Sequence, residues 1–309
     1  MMPSSVSVPA GETPAQVHDY LLVLRGAERT FAAMADCWRD APIATLLYDK
    51  AGTSSRFADR RVHTSPLQRL GASQDTFRRM LPLYPMAAER LPVRDHRLVI
   101  SSSSAFAHGV RPDPGAVHVC YCHSPFRYAW HERATALQEA PRAASGLLRH
   151  VLERNRRWDL KASRGVTRYV ANSAITQQRI AEFWGRDSVV IHRPVDVDRF
   201  DRAESEDWFL VVGEVVRHKR VRIALQAARR AGRRIKVAGS GPDLADLQRE
   251  FGDAEFLGRV SDEQLTDLYP RARALVMANV EEFGIAGVES RRPAGRCWRR
   301  TAAALARPW

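Results

Sequence analysis

Residues 208–241 read WFLVVGEVVRHKRVRIALQAARRAGRRIKVAGSG. A short apolar run ends at Gly213, a basic turn leads into an amphipathic helix, and a second apolar run ends in a glycine turn. Strand, helix, strand is the repeating unit of a parallel sheet, because parallel neighbours can be joined only by a crossover, and crossovers are right-handed. The same alternation continues downstream. PDLADLQREF reads as a helix and AEFLG (254–258) as a strand. SDEQLTDLYPRA is a helix opening with Ser261 and Gln264 at capping-box spacing. ALVMAN (274–279) is the last clear strand. Upstream, HRLVIS (96–101) and VHVCYC (117–122) read as strands and residues 145–163 as a helix. TRYVANS, SAITQQRIAEFWG and SVVIH then give strand, helix, strand. PIATLLYD (42–49) is a further strand, whereas VHDYLLVLRGAERTFAAM offers only a short one before its glycine turn and helix. RPVDVDRFDRAESED (193–207) is charged and turn-rich and reads as a linker. The expected class is α/β, with two doubly wound Rossmann-like domains over 1–195 and 196–290, then a basic tail over 291–309 that is expected to be disordered. Ligands of such sheets bind beyond the strand C-termini.

Bulk composition narrows the function. The chain has 309 residues, 45% of them hydrophobic, enough for a core in each half. No run approaches eighteen apolar residues, and the start lacks the charged and apolar regions of a signal peptide, so a cytoplasmic protein is expected. Four cysteines (Cys37, Cys120, Cys122, Cys297) are too few for a disulfide scaffold of this size. The formal net charge of +13 favours anionic partners. About half of that excess lies in the tail, where arginines stand at 291, 292, 296, 299, 300 and 307 and no acid occurs. No finger, basic zipper or aromatic RNA-reading motif accompanies the charge, so nucleic acid is not an expected partner.

Four stretches can carry chemistry. Lys219 and Arg220, after the WFLVVG strand, fall near a helix N-terminus, where backbone N–H groups and two cations suit a diphosphate. A solvated basic helix start is the plainer alternative. VAGSGPDL resembles a nucleotide turn, but Leu244 stands where a dinucleotide fingerprint needs its third glycine, and a tight turn with no ligand fits equally well. In CYCHSPFRYAW (120–130), Cys120 and Cys122 point to one face of a strand and His123 to the other, which argues against a metal site. His123 falls at the strand end, in the crevice or as a structural histidine. Glu281 and Glu289 flank Phe283, Gly284 and Ile285, where Gly284 permits a tight turn into a helix and free N–H groups face the crevice. Helical rise puts the two carboxylates on the order of 10 Å apart, the distance from a sugar to the ribose of a nucleotide sugar. Paired glutamates on a surface loop are the alternative.

Together these stretches resemble the family-4 retaining glycosyltransferases of GT-B fold, over about residues 17–289. The resemblance rests on VHDYLLVLRGAER, VHVCYCHSPFRYAW, VANSAITQQRIAEFW, VIHRPVDVDRF, GEVVRHKRV, VAGSGPDL and EEFGIAGVE in this order. It is nearest to bacterial mannosyltransferases that build surface polysaccharide or glycolipid. It implies two domains facing a cleft, the second incomplete here. By the resemblance, His123, Glu281 and Lys219 are catalytic. Gly26, Lys219, Arg220, Glu281, Phe283, Gly284, Ile285 and Glu289 bind the donor, with Glu281 at the sugar, Glu289 at the ribose and Lys219 at the diphosphate. It implies no metal and no cofactor, the nucleotide sugar (such as GDP-mannose or a UDP-hexose) being a substrate. Glu214 stands where many members have an arginine, Arg25 precedes Gly26 in place of a second glycine, Arg222 replaces a frequent aspartate, and the first strand looks eroded.

The expected function is transfer of a sugar, mannose favoured, to a lipid-linked or polysaccharide acceptor with retention of configuration. Peripheral contact with an anionic membrane at the inner face of the cytoplasmic membrane is also expected. An inactive truncated remnant of such an enzyme is the alternative, with a GT-B epimerase and a basic nucleic-acid-binding protein as minor ones. SRRPAGRCWRRTAAALARPW, after Glu289, carries no strand signal and departs from the small-residue helix that the resemblance implies, so a frameshift near codon 290 or a truncated gene is expected.

Overall fold

The computed structural model describes residues 11–71, 76–201, 203–279 and 283–290, together with the backbone of 296–299. The chain divides into two compact units, Met1–Arg193 and Pro194–Trp309.

The first unit runs β1 (Ala15–Leu21), α1 (Gly26–Asp36), β2 (Ile43–Tyr48), β3 (Val62–Thr64), α2 (Tyr84–Glu89), β4 (Leu98–Ser103), β5 (Val117–Cys122), α3 (Arg133–Glu139), α4 (Arg142–Ala162), β6 (Arg168–Ala171), α5 (Ala174–Trp184) and β7 (Ser188–Val190). Its seven strands form one parallel sheet in the order β3-β2-β1-β4-β5-β6-β7. Local signals set several element ends. Ser173 caps α5 by accepting from the Thr176 N–H at 3.3 Å, and Gly185, at φ 62°, closes that helix in the left-handed region.

β1 corrects the sequence reading. It is a seven-residue strand in the interior of the sheet, paired on both sides by β2 and β4, not an eroded one. Its pattern misleads because Gln16, His18 and Asp19 are polar yet buried. Each has partners: the Gln16 amide, for example, donates to the Ala35 carbonyl at 3.4 Å and accepts from Arg60 at 3.1 Å. A buried polar group that is hydrogen-bonded does not carry the desolvation cost of a bare one.

The second unit runs β8 (Trp208–Val212), α6 (Val221–Arg230), β9 (Arg234–Ala238), α7 (Leu244–Glu250), β10 (Glu255–Gly258), α8 (Asp262–Arg271), β11 (Ala274–Met277), α9 (Ile285–Glu289) and β12 (Arg296–Arg299). The strands are parallel in the order β10-β9-β8-β11-β12. The capping box of α8 forms as read, with Ser261 Oγ accepting from the Gln264 N–H at 3.2 Å and Gln264 Oε1 from the Ser261 N–H at 2.8 Å. β12 is a second correction. No strand is expected after Glu289, yet the backbone of Arg296–Arg299 pairs with β11 along its whole length. Parallel pairing needs only main-chain groups at an open edge, and a Cys-Trp pair between arginines offers no apolar alternation to read.

Behind β4 and β5 lies a buried polar cluster. Asp159 of α4 accepts from the indole N–H of Trp130 at 2.7 Å and of Trp184 at 2.6 Å, and its other oxygen lies 3.4 Å from His108 Nε2. Burial pushes the Asp159 carboxyl up to about 7, against the pull of the two indoles, and pushes His108 down to about 4. A carboxyl raised on folding favours the folded state fully at pH values below its unfolded range. That contribution is lost as pH rises through about 7. The stability of the wild type relative to Asp159→Asn is therefore expected to fall between about pH 4 and pH 7, followed by urea unfolding on tryptophan fluorescence. Asp159→Ala leaves two indole donors unpaired and is expected to cost about 1–3 kcal/mol for each.

Candidate functional site

In the first sheet the winding reverses at β1, which has β2 on one side and β4 on the other. Loops after β1 and β4 therefore leave in opposite directions and open a crevice beyond the strand ends. Asp19, near the end of β1, is buried and accepts backbone N–H groups of Ser104, Ala105 (3.0 Å), Phe106 (2.7 Å) and Ala107 (2.6 Å). One carboxylate thus fixes the whole loop after β4. Burial pushes this carboxyl above its usual range, and the four donors pull it back.

His123 follows β5 and is buried, at 4% exposure. Its Nε2 lies 2.8 Å from Ser102 Oγ and its Nδ1 3.3 Å from the Arg193 guanidinium. Its carbonyl accepts from Asn172 Nδ2 at 3.0 Å and Thr176 Oγ1 at 3.1 Å. Ser102 Oγ also lies 3.0 Å from His18 Nδ1. Gly26 opens α1 as its first residue, and the Arg25 N–H donates to Glu28 Oε2 at 3.0 Å. Burial pushes Glu28 up to about 7. Cys120 and Cys122 pack instead with Tyr169, Ile180 and Trp184, and burial pushes the Cys120 thiol up to about 12.

In the second sheet the reversal falls at β8, between β9 and β11. The loop after β8 passes Gly213 at φ 144°, buries Val215, makes a tight 3-10 turn over Arg217–Lys219 and enters α6 through Arg220 at φ 55°. A non-glycine residue there carries strain of about 1–2 kcal/mol. The loop is tied to the turn after β9: the Val215 N–H donates to Ser240 O at 3.0 Å, and the Asp243 N–H to Val215 O at 3.2 Å. Gly239 and Gly241 thus serve backbone approach in the VAGSG turn. A Cβ on Gly239 would lie 1.8 Å from the Gly213 carbonyl oxygen, and one on Gly241 2.3 Å from that of Val215.

Across the reversal, the loop after β11 leads to α9. Gly284 caps α9 at φ 77°, Ile285 is its first residue and Glu289 its last, and Phe283 is buried beside Gly284. Glu289 does not stand alone at the crevice. Arg199 Nη2 donates to its Oε1 at 2.5 Å and the Tyr269 hydroxyl to its Oε2 at 3.1 Å. Arg199 also lies 3.6 Å from Asp262 and stacks on Phe200 at 4.6 Å. Lys219 and Arg220, in the loop after β8, and Glu289, in the helix α9 that follows β11, therefore come after the C-terminal ends of two adjacent strands. Glu281 lies outside the described residues. His18, Asp19, Ser102, Asn172, Arg193, Arg199 and Tyr269 are additions to the sequence reading. The polar triplet in β1 and the serine run at 101–104 were available signals for the first three.

The model of glycosyltransferase family 4 matches residues 24–199, more than half of the chain. The chain belongs to glycosyltransferase family 4. It is thus a glycosyltransferase, and its two parallel sheets match the GT-B fold. HepE of Anabaena, solved with UDP and glucose, superposes with a TM-score of 0.63 at 14% identity, covering 92% of this chain and 80% of that one. Sucrose-phosphate synthase of Thermosynechococcus elongatus gives 0.65 at 12% identity over 93% and 81%. The catalytic domain of starch synthase IV of Arabidopsis thaliana, bound to ADP and acarbose, gives 0.53 at 11% over 94% and 83%. A comparison with curated protein sequences finds no match.

Gly239→Ala and Gly241→Ala are each expected to push the two loops apart and to lower stability by about 1–3 kcal/mol. Gly252→Ala, whose added Cβ meets nothing within 4 Å, is the control and is expected to stay within about 0.5 kcal/mol of wild type in the same thermal unfolding.

Proposed function

We propose that this glycosyltransferase moves a hexose, mannose favoured, from a nucleotide-sugar donor to a lipid-linked or polysaccharide acceptor with retention of configuration. The observation that carries it is the basic turn Arg217-His218-Lys219-Arg220 at the start of the ten-residue helix α6, at the winding reversal. Helix N–H groups and cations together favour a diphosphate, and two structural relatives were solved with a nucleoside diphosphate. Lys219 and Arg220 would meet the developing charge on the leaving diphosphate, where stabilisation acts on the rate. Glu289 would take the ribose diol and Glu281 the sugar. Gly284 and Ile285 would approach the donor through the main chain, with Phe283 packing beneath them. By the same family resemblance Gly26 would contribute to donor binding and His123 to catalysis. No metal or cofactor is invoked. Titration calorimetry with UDP, GDP and their nucleosides tests the placement. Lys219→Ala is expected to weaken a diphosphate about tenfold to a hundredfold and to leave the nucleoside unchanged. Glu289→Gln, which keeps an acceptor for Tyr269, is expected to weaken both. Unchanged affinities in both variants would refute it.

We further propose peripheral attachment to an anionic membrane, at the inner face of the cytoplasmic membrane. Among the described residues no helix is long and apolar enough to cross one. Arg142, Arg149 and Arg154 are exposed along α4, as is Leu147, at 70% exposure. Each basic residue at an anionic surface contributes about 1 kcal/mol. Co-sedimentation with phosphatidylglycerol vesicles is expected to fall with salt and to drop sharply in the Arg142→Glu/Arg149→Glu/Arg154→Glu variant. Equal binding to phosphatidylcholine vesicles would count against it.

A further inference from the structure

His123 is engaged at both ring nitrogens and twice at its carbonyl oxygen, more restraint than packing a histidine requires. The chemistry of the four groups in line sets the direction of every hydrogen bond. A guanidinium only donates, so the His123 Nδ1 that faces Arg193 Nη2 at 3.3 Å must accept. A neutral imidazole that accepts at Nδ1 carries its proton on Nε2. That proton points to Ser102 Oγ at 2.8 Å. The hydroxyl, having accepted, has its own proton left for His18 Nδ1 at 3.0 Å. His18 in turn stacks on Phe31 with ring centroids 4.8 Å apart, which fixes its plane.

We propose that Arg193, Ser102 and His18 act as one relay that locks His123 as the neutral tautomer with its proton on Nε2. This rests on the reading of His123 as the crevice histidine at the reacting sugar, and deepens it. A ring committed at both nitrogens does not shuttle protons, so His123 acts as a fixed polar surface and His18 and Ser102 are positioning residues. Arg193 decides the direction. Without it, the chain runs equally well in reverse, with His18 donating to Ser102 and Ser102 to His123. The far end of the relay holds its state by burial, which pushes His18 down to about 3, so His18 stays a neutral acceptor at neutral pH. Among the described residues, the groups about the His123 ring include His18 from β1, Ser102 from β4, Tyr121 from β5 (ring centroids 5.3 Å apart) and Arg193 beyond β7.

The test is the tautomer itself, read by long-range proton–nitrogen correlation on the full chain labelled with nitrogen-15 histidine, with His123→Asn identifying the signals. No sugar donor is needed, so the result stands or falls apart from the proposed transferase reaction. At pH 7 the wild type is expected to show His123 wholly as the Nε2–H form. Arg193→Met is expected to give a mixture of both tautomers, and Arg193→Lys, which restores a donor, to return the Nε2–H form. Ser102→Ala is expected to shift the Nε2 proton signal, and Ser102→Thr, which keeps the hydroxyl, to leave it in place. An Nδ1–H form or an imidazolium in the wild type overturns the proposal, and so does an unchanged pattern in a folded Arg193→Met variant.

Discussion

Parallel strands cannot be joined by a tight turn. Every connection in both units is a crossover, and crossovers of one hand wind a sheet outward in one direction only. To build a two-sided sheet the chain must return to its starting strand and wind the other way. It does so at β1 in the first unit and at β8 in the second. Both reversals leave a gap between diverging loops at the C-terminal edge, and each gap is where a polar group sits that has no place in a core. Asp19, His18 and Ser102 belong to the first, and Lys219 and Arg220 to the second. The site is thus a consequence of strand order before it is a consequence of side-chain identity.

Holding such loops open takes more than topology. In the first unit one carboxylate gathers four consecutive backbone donors, an arrangement only a buried acid can supply. In the second unit the work is done by the absence of side chains. Gly239 and Gly241 let the turn after β9 lie directly on the carbonyls of Gly213 and Val215. The buried Val215 anchors the same loop from below. Only a loop restrained on both sides can keep Arg220 in the left-handed region, where an L-residue is strained.

How far the sequence discloses this depends on whether a residue's neighbours in space are also its neighbours in the chain. Helix caps are local, so Ser261 with Gln264 was legible as a pair, and alternating strands and helices gave both sheets. β1 was not, because the partners of Gln16, His18 and Asp19 lie from about twenty to nearly ninety positions away. Read alone they look like interruptions of a strand. β12 was hidden for the opposite reason: its pairing with β11 uses main-chain groups that every sequence has. Among the candidate site residues, Lys219 and Glu289 were named from motif alone, whereas the ion pair between Glu289 and Arg199 spans ninety residues and left no local mark.

That ion pair changes what the glutamate can offer. An ionised carboxylate has about four acceptor positions, and Arg199 and Tyr269 engage one on each oxygen. One donor on each oxygen keeps the carboxylate from rotating. Arg199 holds one oxygen, and Tyr269, itself buried, fixes the plane from the other side. A carboxylate on a five-residue helix with no such braces would lose rotamer freedom when a ligand arrived, at a cost of about 0.5–1.5 kcal/mol in binding. Here that ordering is done during folding. The same logic runs through the first unit, where His123 is oriented by Ser102 and Arg193. In each unit a buried or half-buried polar group is thus held on two sides by side chains that the fold itself supplies, His123 between Ser102 and Arg193 and Glu289 between the two donors Arg199 and Tyr269.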